Sequence, residues 1–188
     1  NIYRSEMTGN QANNGAAVGS SLWQKLSMTI QNSLITGNTT IDPNGYAIYS
    51  NGQYDSGHLT MYFVTLADNN TANGVYATGG GGGAANLDIQ NSIVLGQGSG
   101  TGVMADDTTP VLQYNDIWNF ATLYGGRASA GAGSWSVDPN FAPSYQLLLS
   151  SPLVDQGIDL SITGDLIGDT RDSTPTIGAF ETAIPEPT

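Results

Sequence analysis

Cysteine is absent from the 188 residues, so neither a disulfide frame nor a thiolate metal site is available. Basic side chains are nearly as scarce: four Lys and Arg and a single His stand against sixteen Asp and Glu, giving a formal net charge of -12. That balance repels nucleic acid, anionic lipid and acidic polysaccharide, and one histidine cannot build a transition-metal site. No apolar run reaches the length of a helical membrane span, and no signal peptide opens the chain; an export signal is expected to have been removed or left out. Charged residues make up only 11%, and no segment carries a helix-length apolar period. What is plentiful is turn chemistry. Twenty-five Gly, with abundant Asn, Thr and Ser, suit repeated tight turns better than helices, and the length suits one domain.

The turns recur on a period. "SEMTGN" (Ser5 to Asn10) and "SLITGN" (Ser33 to Asn38) stand one period apart, each after an alternating run and before a polar turn. A shorter phrase follows: "GYAIYSN" from Gly45, "NGVYATG" around Gly74 and "TGVMADD" around Gly102, and its glycines keep the same spacing to within one position. "AAVGSS" at Ala16 matches it in the first unit. The longer phrase returns as "LTMYFVTLADNN" from Leu59, "LDIQNSIVLGQG" from Leu87 and, worn down, "VLQYNDIWN" from Val111. The repeat is thus roughly 28 residues long, within the range of solenoid units. A unit this short cannot fold alone, and its period-two runs, as in Leu26, Met28 and Ile30, hide one face only. Stacking unit on unit lets each strand find its partners in neighbouring copies. The expected fold is therefore all-β, a right-handed parallel β-helix of about four recognisable coils over residues 1–125, with an atypical coil and C-terminal cap over 126–181 and an extended tail over 182–188.

Vertical stacking puts like side chains above like. We expect Ile30, Phe63 and Ile89 in one internal ladder, Leu34, Leu66 and Ile93 near the next strand, and Val18, Ile48, Tyr76 and Met104 along the short-phrase face. Asn32, Asn91 and Asn115 would form a turn column that bonds amide to amide or caps each turn singly. Val64 would fill the slot in the coil between, with one residue deleted. The loops "NGQYDSG" (Asn51 to Gly57) and Gly79 to Gly83 would project without disturbing the stack.

The final third contains "DPNF", "YQLLLSSPLVDQG", "GDLIGDTRD" and "TIGAFE" in order. Together with the "NSLITGN" repeats, these resemble bacterial choice-of-anchor (Q-type) β-helix surface proteins, akin to pectate-lyase-like and autotransporter-like repeats. "AIPEPT" resembles the start of a PEP-CTERM sorting signal, without its membrane stretch and basic tail. The likeness covers nearly all of the chain. It implies export and extracellular, cell-surface or matrix placement, and members with such ends include polysaccharide lyases and hydrolases as well as structural proteins, so it implies no single chemistry.

Candidate chemistry is sparse. A glycan hydrolase needs two carboxylates across a sugar; Asp106 and Asp107 are the best pair, with Asp55 and Asp88 as neighbours, although solvated surface explains them equally. A β-elimination lyase needs a cation and a base, and Lys25, Arg4, Arg127 and Arg171 are the whole supply, with Arg171 set among cap acids that would pair with it. His58 at a strand start is a base or an ordinary turn histidine. Asp165, Asp169 and Asp172, interleaved with Gly164 and Gly168, suit calcium in a flexible loop or simple turn capping. Tyr46, Tyr49, Tyr54, Tyr62 and Tyr76, with Trp118, Phe120 and Tyr124, offer sugar-stacking faces or core packing. No regular outward Thr-x-Thr array supports ice binding. The expected role is structural or adhesive, with end-to-end homo-oligomers; the alternative is a carbohydrate-active or glycan-binding β-helix.

Overall fold

The computed structural model describes residues 1–21, 27–52, 58–79, 86–107 and 110–182. Lys25, Tyr54, Asp55, Leu26, most of the glycine run and the "AIPEPT" tail lie outside them. Among the described residues every regular element is a strand and none is a helix. The first level comprises β1 (Ile2–Tyr3), β2 (Glu6–Thr8), β3 (Gln11–Ala12) and β4 (Val18–Ser21). Above it lie β5 (Ser27–Thr36), β6 (Thr39–Thr40) and β7 (Tyr46–Asn51), then β8 (His58–Ala67) and β9 (Asn73–Thr78). Next come β10 (Asn86–Gln90), β11 (Ile93–Leu95) and β12 (Thr101–Asp106), and finally β13 (Val111–Gln113), β14 (Asp116–Trp118) and β15 (Thr122–Gly126).

These strands stack into a parallel β-solenoid. One sheet runs β1-β5-β8-β10-β13, with β2 on β5 and β11 between β8 and β14; the second runs β4-β7-β9-β12-β15; β3 and β6 form a short third. Every ladder among them is parallel, so each unit pairs with the unit one period away, as the repeat requires.

The register corrects three of the expected columns. Ile30 faces Met61 and Met61 faces Ile89, so the internal ladder is Ile2, Ile30, Met61, Ile89 and Leu112. Phe63 is absent from it because nothing is deleted in β8, and Phe63 falls opposite the turn at Asn32. Arg4, Asn32, Phe63, Asn91 and Tyr114 all have left-handed backbones, with φ between 46° and 55°; this is a column of bends, and Val64 stands one place on, opposite Ser33. Beyond the bend, Leu34 aligns with Thr65, Ile93 and Asp116, while Leu66 belongs with Ile35, Val94 and Ile117. In the short phrase Val18 and Ile48 continue into Val75 and Val103, and Tyr76 and Met104 follow Tyr49 on the outer face. The recurring glycines of that phrase have a steric reason: a Cβ on Gly74 would lie 2.4 Å from the Gly102 carbonyl oxygen.

A stacked amide column does exist, at other asparagines. Asn10 Nδ2 donates to Asn38 Oδ1 at 2.9 Å, and Asn38 Nδ2 donates to Asn69 Oδ1 at 2.8 Å. Asn115 sits one place past the bend, where its Oδ1 accepts the Ser92 N–H at 2.9 Å. Asn32 and Asn91 neither bond each other nor cap only their own turns; both turn sideways to hold the C-terminal segment.

That segment does more than close an end. Ala132 and Trp135 lie over the last level, where Tyr114 N–H donates to the Ala132 carbonyl and Trp135 bridges Asp116 in parallel. The chain then folds back along the flank as a strap that crosses the levels more than once. Asn91 Oδ1 accepts the Ile158 N–H at 2.9 Å, Thr65 Oγ1 accepts the Ala179 N–H at 2.9 Å, and Asn32 Nδ2 donates to the Gly164 carbonyl at 2.6 Å. Tyr145 hydroxyl donates to Asp68 at 2.8 Å and meets Thr36 Oγ1 at 3.0 Å. Leu153 and Ile177 bury against Ile93, and Ala179 and Phe180 against Leu34, which explains why apolar residues stand on the solenoid's outer side in that column.

Candidate functional site

Of the carboxylates singled out for hydrolysis, Asp55 lies outside the described residues, and Asp88 and Asp106 stand on different sheets. Asp88 lies on β10 of the first sheet, where its two oxygens accept the Tyr62 hydroxyl at 2.7 Å and Gln90 Nε2 at 2.9 Å. Asp106 ends β12 of the second sheet and accepts the Tyr76 hydroxyl at 2.9 Å. Asp107 follows it with φ 60° and is exposed. His58 is half-buried at the start of β8, opposite Ser27.

Of the basic residues, Arg171 serves the fold. Arg171 is buried in the strap and its guanidinium is a hub: Nη1 donates to Glu181 at 3.1 Å and to the Thr176 carbonyl at 3.3 Å. Nη2 donates to Asn32 Oδ1 at 3.1 Å and to the carbonyls of Gly178 and Ala179 at 2.9 and 3.1 Å. It lies 3.8 Å from the centroid of the Phe63 ring. Burial pulls this guanidinium down to about 10, with Glu181 and Asp165 opposing, so it stays charged at neutral pH. Its partner is Glu181, rather than Asp169 or Asp172. The exposed Arg4 guanidinium lies against Gly164, and Arg127 is exposed just beyond β15.

Asp165, Asp169 and Asp172 do not share a site. Asp165 Oδ1 accepts the N–H groups of Ile167, Gly168 and Asp169 at 2.9, 2.8 and 2.8 Å, and its Oδ2 accepts the Glu181 N–H at 2.8 Å. Its oxygens are occupied by a turn. Asp172 instead joins Asp155 and Glu181, with one carboxylate oxygen from each lying within 4.8 Å of the others; the Asp155 carboxyl is pushed up, chiefly by burial and then by Asp172. Sequence reading missed this group because its members come from three separate turns of the strap. Beside it opens a hollow of about 380 Å³ lined by Asp159, Ser161, Ile162, Thr163, Arg171, Asp172 and Ser173.

The aromatics divide. Tyr124 and Phe120 pack against the core, and Trp118 is half-buried opposite Leu95. Tyr46, Tyr49 and Tyr76 are half-buried on the outer face of the second sheet. Tyr46 and Tyr76 stack with centroids 5.0 Å apart, and Tyr49 and Tyr76 lie 5.3 Å apart. The Tyr76 hydroxyl is pushed up to about 12, by burial first and, against a lowering bond to Thr78, by Asp106. Among the described residues this is the one cluster where three aromatic rings and a carboxylate meet at the surface.

No family model, curated protein or solved structure matches this chain. The site's chemistry therefore has to be read from its own geometry.

Proposed function

We propose that the chain is an extracellular structural or adhesive protein of a bacterial surface or matrix, a stiff rod that contacts other molecules through its lateral faces and joins copies of itself end to end. The observation that carries this reading is the strap: one segment is bonded to Asn32, Thr65, Asn91 and Asp116, on four successive levels of the stack. Levels so tied cannot part singly, which suits a rod more than a hinged catalytic groove. The resemblance to choice-of-anchor surface proteins agrees with surface placement. β1, β2 and β4 each pair on one side only among the described residues; such a parallel edge accepts a strand from a preceding coil or from another copy, and heterologous addition of copies would run on as a fibre. Electron microscopy of the purified chain tests the assembly. Rods longer than one subunit are expected, and a monodisperse monomer at high concentration contradicts it.

A second reading, a glycan-binding or carbohydrate-active β-helix, is favoured by one observation, the stacked tyrosines beside Asp106. It is compatible with an adhesive rod, since adhesion needs a face that recognises something.

A further inference from the structure

We propose that the outer face of the second sheet, built from Tyr46, Tyr49, Tyr76, Asn51 and Asp106, binds a glycan whose sugars carry free amino groups. This rests on the glycan-contacting reading and names its ligand. The column Asn51, Thr78 and Asp106 runs beside the column Tyr49, Tyr76 and Met104 on the same face. Aromatic rings there offer apolar surface for the C–H face of a sugar. The polar groups around them include hydroxyl donors, but the one charged group is a carboxylate, which accepts the Tyr76 hydroxyl. Among the described residues the sole ion pair is Arg171 with Glu181, so Asp106 has no basic partner.

A ligand that complements this face brings positive charge to Asp106. Tyr76 already gives its hydroxyl proton to Asp106, which turns the carboxylate toward the rings and adds negative potential where a cation would sit over them. A uronate would meet Asp106 with like charge, inside a chain of net charge -12. A neutral sugar would stack but leave the carboxylate uncompensated. An amino sugar satisfies both halves of the face, and a stiff sugar chain loses less freedom on a rigid sheet than a lysine side chain does.

Isothermal titration calorimetry of the full chain with a glucosamine oligomer, its N-acetylated counterpart, a galacturonate oligomer and an oligolysine tests this. The glucosamine oligomer is expected to bind at least about tenfold tighter than the other three. Asp106→Asn, which keeps an acceptor for Tyr76, should remove that preference, and Tyr76→Ala should weaken the glucosamine oligomer further. Asp88→Asn, on the other sheet, should change neither. Equal binding of the N-acetylated oligomer would overturn the amino-sugar assignment while leaving a glycan face, and equal binding of oligolysine would reduce it to net charge. If no oligosaccharide binds to the folded chain, the glycan-contacting reading falls as well.

Discussion

Phe63 holds a left-handed backbone that a bulky side chain seldom adopts, and its ring supports the guanidinium of Arg171. Asn32, one level below, takes the same backbone and gives its Oδ1 to the same guanidinium. One buried cation thus fixes two bends of the stack, and Glu181 supplies the counter-charge that burial demands. Asp116 is the opposite case. It is fully buried, its Oδ1 accepts the Val137 N–H at 3.0 Å, and its Oδ2 has no partner. Its carboxyl is pushed up from 3.8 to about 7, chiefly by burial, with the Val137 bond opposing and Asp138 adding. Between those values the unfolded chain gives up a proton that the folded chain keeps, so stability should fall as pH rises from about 4 to about 7, by on the order of 1 kcal/mol per unit within that window. Asp116→Asn should leave the urea midpoint at pH 4 nearly unchanged and raise it at pH 8. A midpoint lowered equally at both would show that the carboxyl is not the group being titrated.

Between neighbouring strands the amide column at Asn10, Asn38 and Asn69 joins three levels, and its middle member carries most. Asn38 is fully buried, donates to the carbonyls of Met7 and Thr36 and to Asn69 Oδ1, and accepts from Asn10. Asn38→Ala should therefore cost about 1–3 kcal/mol, since it leaves buried backbone groups unpaired, whereas Asn10→Ala, at an exposed position, should cost well under half of that. Chemical denaturation of both variants measures the difference, and equal costs would contradict a column anchored at its centre. The period behind this column was plain in the sequence, because the "TGN" ending at Asn10 returns at Asn38. Its phase was not. By hydropathy Phe63 reads as a core residue, and it is buried; but its positive φ places it at the bend under Arg171, and Met61 takes its place in the ladder. Asn32 and Asn91 looked like the stacking amides, yet their partners are strap residues far along the chain, Gly164 and Ile158. The acidic group of Asp155, Asp172 and Glu181 was hidden for the same reason, since distant turns meet only once the strap is laid down. The tyrosine face was half legible: alternation predicted exposed and buried tyrosines but not which, and a shift of one residue exchanges them.

At the scale of the molecule, few charges and many turn residues give a solenoid in which hydrophobic columns run along the axis and a C-terminal strap crosses its levels on one flank. The interior is assembled from residues about one period apart, which requires strands lying one above another in the stated register. The chain's lack of cysteine makes this directly measurable, because introduced cysteines are the only thiols. Spin labels at Thr29 and Thr60, which face each other across β5 and β8, should couple strongly at one strand spacing of about 4.8 Å between backbones. Labels at Thr29 and Asp88, two levels apart, should couple at about twice that separation. Strong coupling in the first pair and weaker coupling in the second is the predicted result; no coupling between 29 and 60 would contradict the stack itself.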